Sequence, residues 1–180
     1  EPGMTIDGAL SDPAWQHAPW SDDYIDIEGS KHPAPRFRTR MKMTWDDAYL
    51  YIGAEMEEPD IWATLTERDS VIFYDNDFEV FLDPDGDCEN YMELEINAFG
   101  TEWDLFLPKS YINGGEPDNS WDIEGLRVGI QIDGSLNDSS DVDKGWAIEI
   151  AIPMSAIAPN TDLQVPPSDG DRWRINFSRV

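Results

Sequence analysis

The sequence predicts an all-β fold, an antiparallel β-sandwich of about ten strands with an immunoglobulin-like two-sheet architecture. Short runs of alternating apolar and polar side chains recur along the chain, and Gly, Pro, Asp and Asn separate them. Helical periodicity is scarce, and no internal repeat or flexible linker divides the chain. We therefore expect residues 1–180 to form a single domain, which is long enough to bury a core without disulfides.

The strand predictions follow the alternating runs in chain order. They cover residues 4–6, 24–27, 37–45, 49–56, 78–82, 91–97, 101–107, 126–132, 147–152 and 173–180. The residues at 45–49, 97–101 and 143–146 are typical of hairpin connections, and Gly100 in the second can adopt a positive φ. Short helical turns are expected at 64–68 and after Pro153, since proline is favoured in the first turn of a helix.

The charge balance excludes several classes of partner. The chain carries 38 acidic against 12 basic residues, a formal net charge of -26. Such a surface repels the phosphates of nucleic acids and anionic membranes. No apolar run is long enough to insert into a bilayer, and no glycine-rich loop indicates a nucleotide. We expect a monomer that binds neither nucleic acid nor nucleotide.

The acidic residues are concentrated in strands rather than in a solvated tail. Eleven of the thirty residues from 75 to 104 are Asp or Glu, and none is Lys or Arg. Alternation along 78–82 and 91–97 predicts that Glu79, Glu95 and Asn97 share one sheet face, opposite an apolar face. Such a face can hold a metal, catalyse with paired acids, or hydrogen-bond a polyhydroxylated ligand.

Aromatic residues make up 12% of the chain, and several lie outside the predicted strands. Trp62 and Trp121 fall in predicted loops, while Phe73 and Tyr74 immediately precede the acidic strand. A ring at a loop surface can stack on the apolar face of a sugar. Arg174, in the last predicted strand, can pair with the acidic face or contact a ligand.

Five ordered motifs, spanning nearly the whole chain, resemble those of family 9 carbohydrate-binding modules. They are IDGALSDPAW at 6–15, WDDAYLYI at 45–52, DFEVFLD at 77–83, GWAIEIAIP at 145–153 and WRINF at 173–177. The resemblance implies a DOMON-like sandwich, of a class that also includes haem-binding domains, without catalysis of its own. Well-known members bind the reducing ends of glucans and xylans between two tryptophans and carry structural calcium.

The resemblance assigns roles to some positions and departs from the family at others. Glu79 matches the family's ligand-binding glutamate and Asn97 a strand asparagine, whereas Glu95 stands where sugar-binding members have an arginine. The first stacking tryptophan aligns near Phe73 and Tyr74, unless Trp62 replaces it. The second belongs to a loop after the strand that includes Val180, so we expect either that the chain lacks a C-terminal strand and loop or that the two-ring clamp is absent.

The turn at 83–87 is a candidate calcium site. Asp83, Asp85 and Asp87 alternate around Gly86, and this spacing of oxygen ligands suits Ca²⁺. Calcium, in a structural role, is therefore the cofactor that the sequence suggests.

The function predicted from these observations is non-catalytic binding of a plant or algal polysaccharide or its oligosaccharide ends, in support of polysaccharide degradation. We expect a secreted, periplasmic or cell-surface protein, fused to or secreted with a glycanase. Two alternatives remain open. One is a haem-binding redox module that uses a Met such as Met41, Met56 or Met92 together with a His or Lys as axial ligands. The other is a glycoside hydrolase that uses the acidic strand pair.

Overall fold

The computed structural model describes residues 3–180 and consists of two antiparallel sheets of four strands each. The strands are β1 (Thr39–Trp45), β2 (Tyr49–Glu57), β3 (Asp77–Asp83), β4 (Glu89–Asn97), β5 (Glu102–Lys109), β6 (Arg127–Asp133), β7 (Gly145–Pro153) and β8 (Arg174–Arg179). Sheet A has the order β1-β2-β7-β6, and sheet B has the order β5-β4-β3-β8. The predicted all-β sandwich is confirmed.

The main hydrophobic core lies between the two sheets. Ile52 and Ile148 of sheet A and Phe78, Val80 and Leu94 of sheet B belong to one buried cluster. Because side chains alternate across a strand, placing Phe78 and Val80 in this core turns Glu79 to the outer face of sheet B. The core therefore fixes which side of the sheet carries the acidic residues.

The two strands predicted before β1 are wrong. Residues 4–6 belong to a segment that packs on the outer face of sheet A, where Met4 and Trp15 form a second buried cluster with Tyr51. Residues 24–27 run beside β1, and the Tyr24 N–H donates one backbone hydrogen bond to Thr39. A strand requires a continuous ladder of such bonds, which neither segment forms.

The carboxylate of Glu149 on β7 anchors the N-terminal segment. It accepts hydrogen bonds from the backbone N–H groups of Asp7 and Gly8 at 2.8 Å, from that of Leu10 at 3.1 Å, and from the Trp15 indole at 2.7 Å. Glu149 is fully buried. The segment thus satisfies its backbone groups through one side chain instead of a sheet edge.

Of the two predicted helical turns, the structure contains one. Helix α1 (Met154–Ile157) begins directly after Pro153, as expected. The prediction for 64–68 is wrong, because the N–H groups of Thr64 and Leu65 both donate to the Asp75 carboxylate at 2.8 Å. That side chain holds the backbone in an irregular loop over sheet B. In the described part of the chain, no helix has the length and apolarity needed to cross a bilayer.

Candidate functional site

Four carboxylates line the outer face of sheet B. Asp77 and Glu79 project from β3, and Glu93 and Glu95 project from β4, where Glu95 is the direct cross-strand partner of Glu79. All four are buried: their exposed fractions are 0% for Asp77, 9% for Glu79, 5% for Glu93 and 2% for Glu95. The structure thus brings Glu79 and Glu95 together, but beneath neighbouring groups rather than on an open surface.

Polar groups from adjacent segments contact three of these four acids. The Ser178 hydroxyl on β8 donates to Glu79, and the Phe73 N–H donates to Glu95 at 3.0 Å. Tyr111, in the loop after β5, donates its hydroxyl proton to Glu93 at 2.8 Å. Neither carboxylate oxygen of Asp77 accepts a hydrogen bond of good geometry. Asp77 is therefore the least satisfied member of the group.

Burial and mutual repulsion oppose ionisation of Asp77, Glu93 and Glu95. Burial, supplemented by the charge of Glu79, raises the pKa of Asp77 to about 8. The same causes raise the pKa of Glu95 to about 9 and that of Glu93 to about 7. Among residues 3–180, no Lys or Arg forms an ion pair with any of the four. Basic side chains therefore do not offset the charge that these acids carry when they ionise.

Asn97 lies at the end of this face, but its amide is saturated by the protein. Its amino group donates to the Leu65 carbonyl at 2.8 Å and to Asp75 at 2.9 Å. Its oxygen accepts from the N–H groups of Phe99 and Thr101, both at 3.1 Å. Two donors and two acceptor sites are all that an amide offers. Asn97 therefore braces the β4–β5 turn and has no free group for a ligand.

An aromatic group borders the carboxylates on one side. The Phe73 and Tyr74 rings are 43% and 78% exposed and meet edge to face with centroids 5.0 Å apart. Trp103 is the cross-strand partner of Glu95, and its ring centroid lies 5.9 Å from that of Phe73. Sequence reasoning did not identify Trp103 or Asp77 as site residues. The register of the hairpin that contains Gly100 places Trp103 on this face, and a spacing of two residues from Glu79 places Asp77 on it.

Trp62 is exposed but lies beside a different loop. Its neighbours Ile61 and Ala63 donate their N–H groups to Asp143 at 2.8 Å and to Asn137 at 2.9 Å. Both acceptors belong to the β6–β7 connection. Trp62 is thus fixed at that end of the sandwich, with its ring 44% exposed.

Trp121 lies on the opposite side of sheet B from the carboxylates. It packs against Phe106 of β5, with ring centroids 5.7 Å apart. Phe106 alternates with Trp103 and Leu105 and pairs with the core residue Met92, so it faces the sandwich interior. Trp121 also lines a surface cavity with Tyr49 and Pro153. It does not join the acidic face.

Arg174 and the turn at 83–87 form a separate group at the other end of β3. Arg174 is the cross-strand partner of Asp83, and its guanidinium contacts the Cys88 sulfur at 2.8 Å. Asp83 accepts from the N–H groups of Gly86 and Cys88, both at 3.0 Å. One oxygen each from Asp83, Asp85 and Asp87 lies within 4.8 Å of the others, so this group can hold a metal.

The methionines and histidines considered as haem ligands differ in burial. Met41, Met56 and Met92 are buried in the main core. His17 is exposed at the surface, and His32 is also exposed, with its ring 2.7 Å from Glu28. The methionines are thus interior side chains, whereas both histidines lie at the surface.

Comparison with protein families identifies the chain. The model of the family described as carbohydrate family 9 binding domain-like matches residues 6–166. The chain belongs to this family. The match includes Asp7, Gly8 and Glu149, so the hydrogen bonds that join the N-terminal segment to β7 lie within the family 9 domain.

Solved structures share the fold of this family 9 domain at low sequence identity. A family 9 module from Caldicellulosiruptor kristjanssonii in complex with cellotriose is 18% identical, with a TM-score of 0.62 over 98% of this chain and 71% of that one. A Bacteroides uniformis protein of proposed carbohydrate-binding function is 15% identical, with a TM-score of 0.73 over 99% and 79%. These likenesses concern the fold.

The domain is also similar to part of a much longer enzyme. It is 28% identical over 143 residues to endo-1,4-beta-xylanase A of Thermoanaerobacterium saccharolyticum. The matched region is 76% of this chain and 10% of that protein. The family 9 domain thus corresponds to a small segment of the xylanase.

Proposed function

We propose that this family 9 domain binds carbohydrate through the outer face of sheet B and has no catalytic activity of its own. The observation that carries the proposal is the exposed Phe73–Tyr74 pair at the border of the carboxylates Glu79 and Glu95. These exposed rings provide an apolar platform for a sugar, and they are the part of this face that a ligand can reach. Family membership and the cellotriose complex of the similar module support the same ligand class.

We further propose a biological setting for the domain. The partial similarity to a xylanase supports fusion to, or secretion with, a glycanase. In this proposal the chain acts as a single, monomeric domain in a secreted, periplasmic or cell-surface protein. The ligand would be a plant or algal polysaccharide, such as xylan or cellulose, or its oligosaccharide ends. The turn at 83–87 stays a prediction as a structural calcium site.

The acidic pair is a poor candidate for hydrolysis. A glycosidase must place the sugar between its two carboxyl groups. Glu79 and Glu95 are 9% and 2% exposed and are direct neighbours on adjacent strands. They lie side by side under the surface and leave no space between them for a sugar ring.

Replacing both border rings tests the carbohydrate proposal. We expect Phe73→Ala/Tyr74→Ala to weaken binding at least about tenfold, because the variant loses the stacking platform, worth ~1.4 kcal/mol or more. Isothermal titration with xylan, cellulose fragments and oligosaccharides carrying intact or reduced ends measures the change. Trp45→Ala is the matched control, since Trp45 is 51% exposed on β1 of the other sheet.

Two results would contradict the proposed carbohydrate-binding surface or function. If Trp45→Ala loses as much affinity as the double variant, the assignment of the binding surface to the outer face of sheet B would be wrong. Absence of binding by the wild-type domain to every glycan on a broad array would contradict carbohydrate binding, while the fold would stand.

A further inference from the structure

Asp77 is a buried carboxylate without a partner. Its exposed fraction is 0%, and neither of its side-chain oxygens accepts a hydrogen bond of good geometry. A buried polar group normally has a hydrogen-bond partner, and a buried charge is normally paired or bound to a metal. The side chain therefore indicates that something else completes its surroundings.

Asp77 is directed at two further buried acids. It precedes Glu79 by two residues on β3, so both side chains leave the same face, and Glu95 is the cross-strand partner of Glu79. One oxygen from each of Asp77, Glu79 and Glu95 lies within 4.8 Å of the others. The three side chains thus converge on one point from two adjacent strands.

Neighbouring groups hold the convergent acids without neutralising them. Ser178 donates to one oxygen of Glu79, and the Phe73 N–H donates to one oxygen of Glu95. Ion pairs elsewhere in the described chain occupy Arg68 and Arg179 with other acids. Hydrogen bonds from neighbouring groups that orient carboxylates are typical of the surroundings of metal ligands.

We propose that Asp77, Glu79 and Glu95 bind one divalent cation of the calcium or magnesium class on the outer face of sheet B. Carboxylate oxygens are the ligands that these hard cations prefer, and a cation would compensate three clustered negative charges at once. The site is distinct from the turn at 83–87, whose Asp83 already accepts two backbone hydrogen bonds. It requires no bound sugar.

Calcium titration of the chelator-treated protein tests the site. Isothermal titration calorimetry gives stoichiometry and affinity without carbohydrate, and terbium luminescence excited through tryptophan reports proximity to Trp103, which is opposite Glu95. We expect Asp77→Asn to weaken cation binding at this site by about 100-fold or more and to remove the part of the terbium signal that this site contributes, because it removes a ligand charge at nearly constant volume. Circular dichroism verifies the fold.

Two further variants make the outcome unambiguous. Asp85→Asn, in the turn at 83–87, is the matched control and is expected to leave cation binding at the Asp77 site unchanged. Glu95→Gln replaces Asp77→Asn if the latter does not fold, and the same loss is expected. The proposal is overturned if the wild-type protein binds none of Ca²⁺, Mg²⁺ and Mn²⁺, which would leave a shared proton to neutralise the acids. Unchanged stoichiometry and affinity in a folded Asp77→Asn or Glu95→Gln variant would overturn it as well.

Discussion

At the scale of single residues, the role of an acidic or amide side chain is set by its neighbours rather than by its type. Asn97 and Glu95 both lie on the outer face of sheet B, two residues apart. Asn97 is saturated by four protein hydrogen bonds, whereas Glu95 receives one from Phe73 and faces other carboxylates. The first is structural, whereas the second keeps acceptor capacity that the protein does not use.

Asp46 provides a pH-dependent test at the same scale. It accepts hydrogen bonds from Ala48 N–H, Tyr49 N–H and the Tyr51 hydroxyl, each at 2.8 Å. Partial burial raises its pKa, but these bonds outweigh it and hold the pKa below the usual value. We expect Asp46→Ala to cost about 1 kcal/mol at pH 7, since the site is exposed and its interactions are screened.

The pH dependence follows from the direction of that shift. A carboxylate with a lowered pKa in the folded state stabilises the fold above its unfolded pKa of about 4, and the stabilisation is lost as the pH falls through the folded pKa. Urea unfolding at pH 7 and at about pH 2.5 measures the loss. Asp47→Ala, at an exposed position in the same turn, is the control. An equal cost of Asp46→Ala at both pH values would contradict the assignment.

At the scale of elements, the N-terminal segment is held to sheet A by one side chain. The Glu149 carboxylate accepts four hydrogen bonds, three of them from backbone N–H groups of residues 7–10. Gly8 has φ +85°, and a Cβ there would lie 2.4 Å from the backbone of Ile130. The segment therefore needs both a glycine at this position and an acceptor on β7.

Removing the Glu149 carboxylate tests whether it holds the N-terminal segment on sheet A. We expect Glu149→Ala to destabilise the domain by about 3 kcal/mol, because it leaves several buried donors without partners. Urea unfolding measures the cost, and hydrogen exchange is expected to show loss of protection at the amides of Asp7, Gly8 and Leu10. Glu124→Ala, at an exposed site, is the control. Retained protection at these three amides would show that Glu149 does not hold the segment.

At the scale of the whole molecule, acidity is the dominant electrostatic property. The net charge is -26, and basic residues pair with only some of the acids. Like charges repel more strongly in the compact state than in the unfolded chain. The fold therefore carries a repulsive cost that depends on ionic strength.

That cost predicts a salt dependence of stability. Raising sodium chloride from about 10 mM to about 100 mM shortens the screening length from about 30 Å to about 10 Å. We expect the unfolding temperature to rise by several degrees at pH 7, measured by circular dichroism. Near pH 4.1, the isoelectric point of the sequence, the rise is expected to be smaller. A melting temperature that falls with added salt at pH 7 would contradict net repulsion.

Local patterns are sufficient to predict the strands and their faces. Alternation in residues 78–82 and 91–97 places Glu79 and Glu95 opposite the core, and all eight observed strands overlap predicted ones. The failures at 4–6, 24–27 and 64–68 share one cause. The segments at 24–27 and 64–68, and residues 7–10 directly after 4–6, take backbone partners from other parts of the chain, namely Thr39, Asp75 and Glu149. Periodicity carries no information about such partners.

The sequence likewise predicts only part of the candidate site. Its acidic composition is visible in the sequence, and the strand period assigns the acids to one face. Only the packing of strands and loops decides that Asp77, Glu79 and Glu95 converge, that Asn97 is saturated, and that Trp121 faces the other side of the sheet. The reason is that periodicity determines the direction of a side chain relative to its own strand, whereas burial and pairing depend on which other segments fold over it.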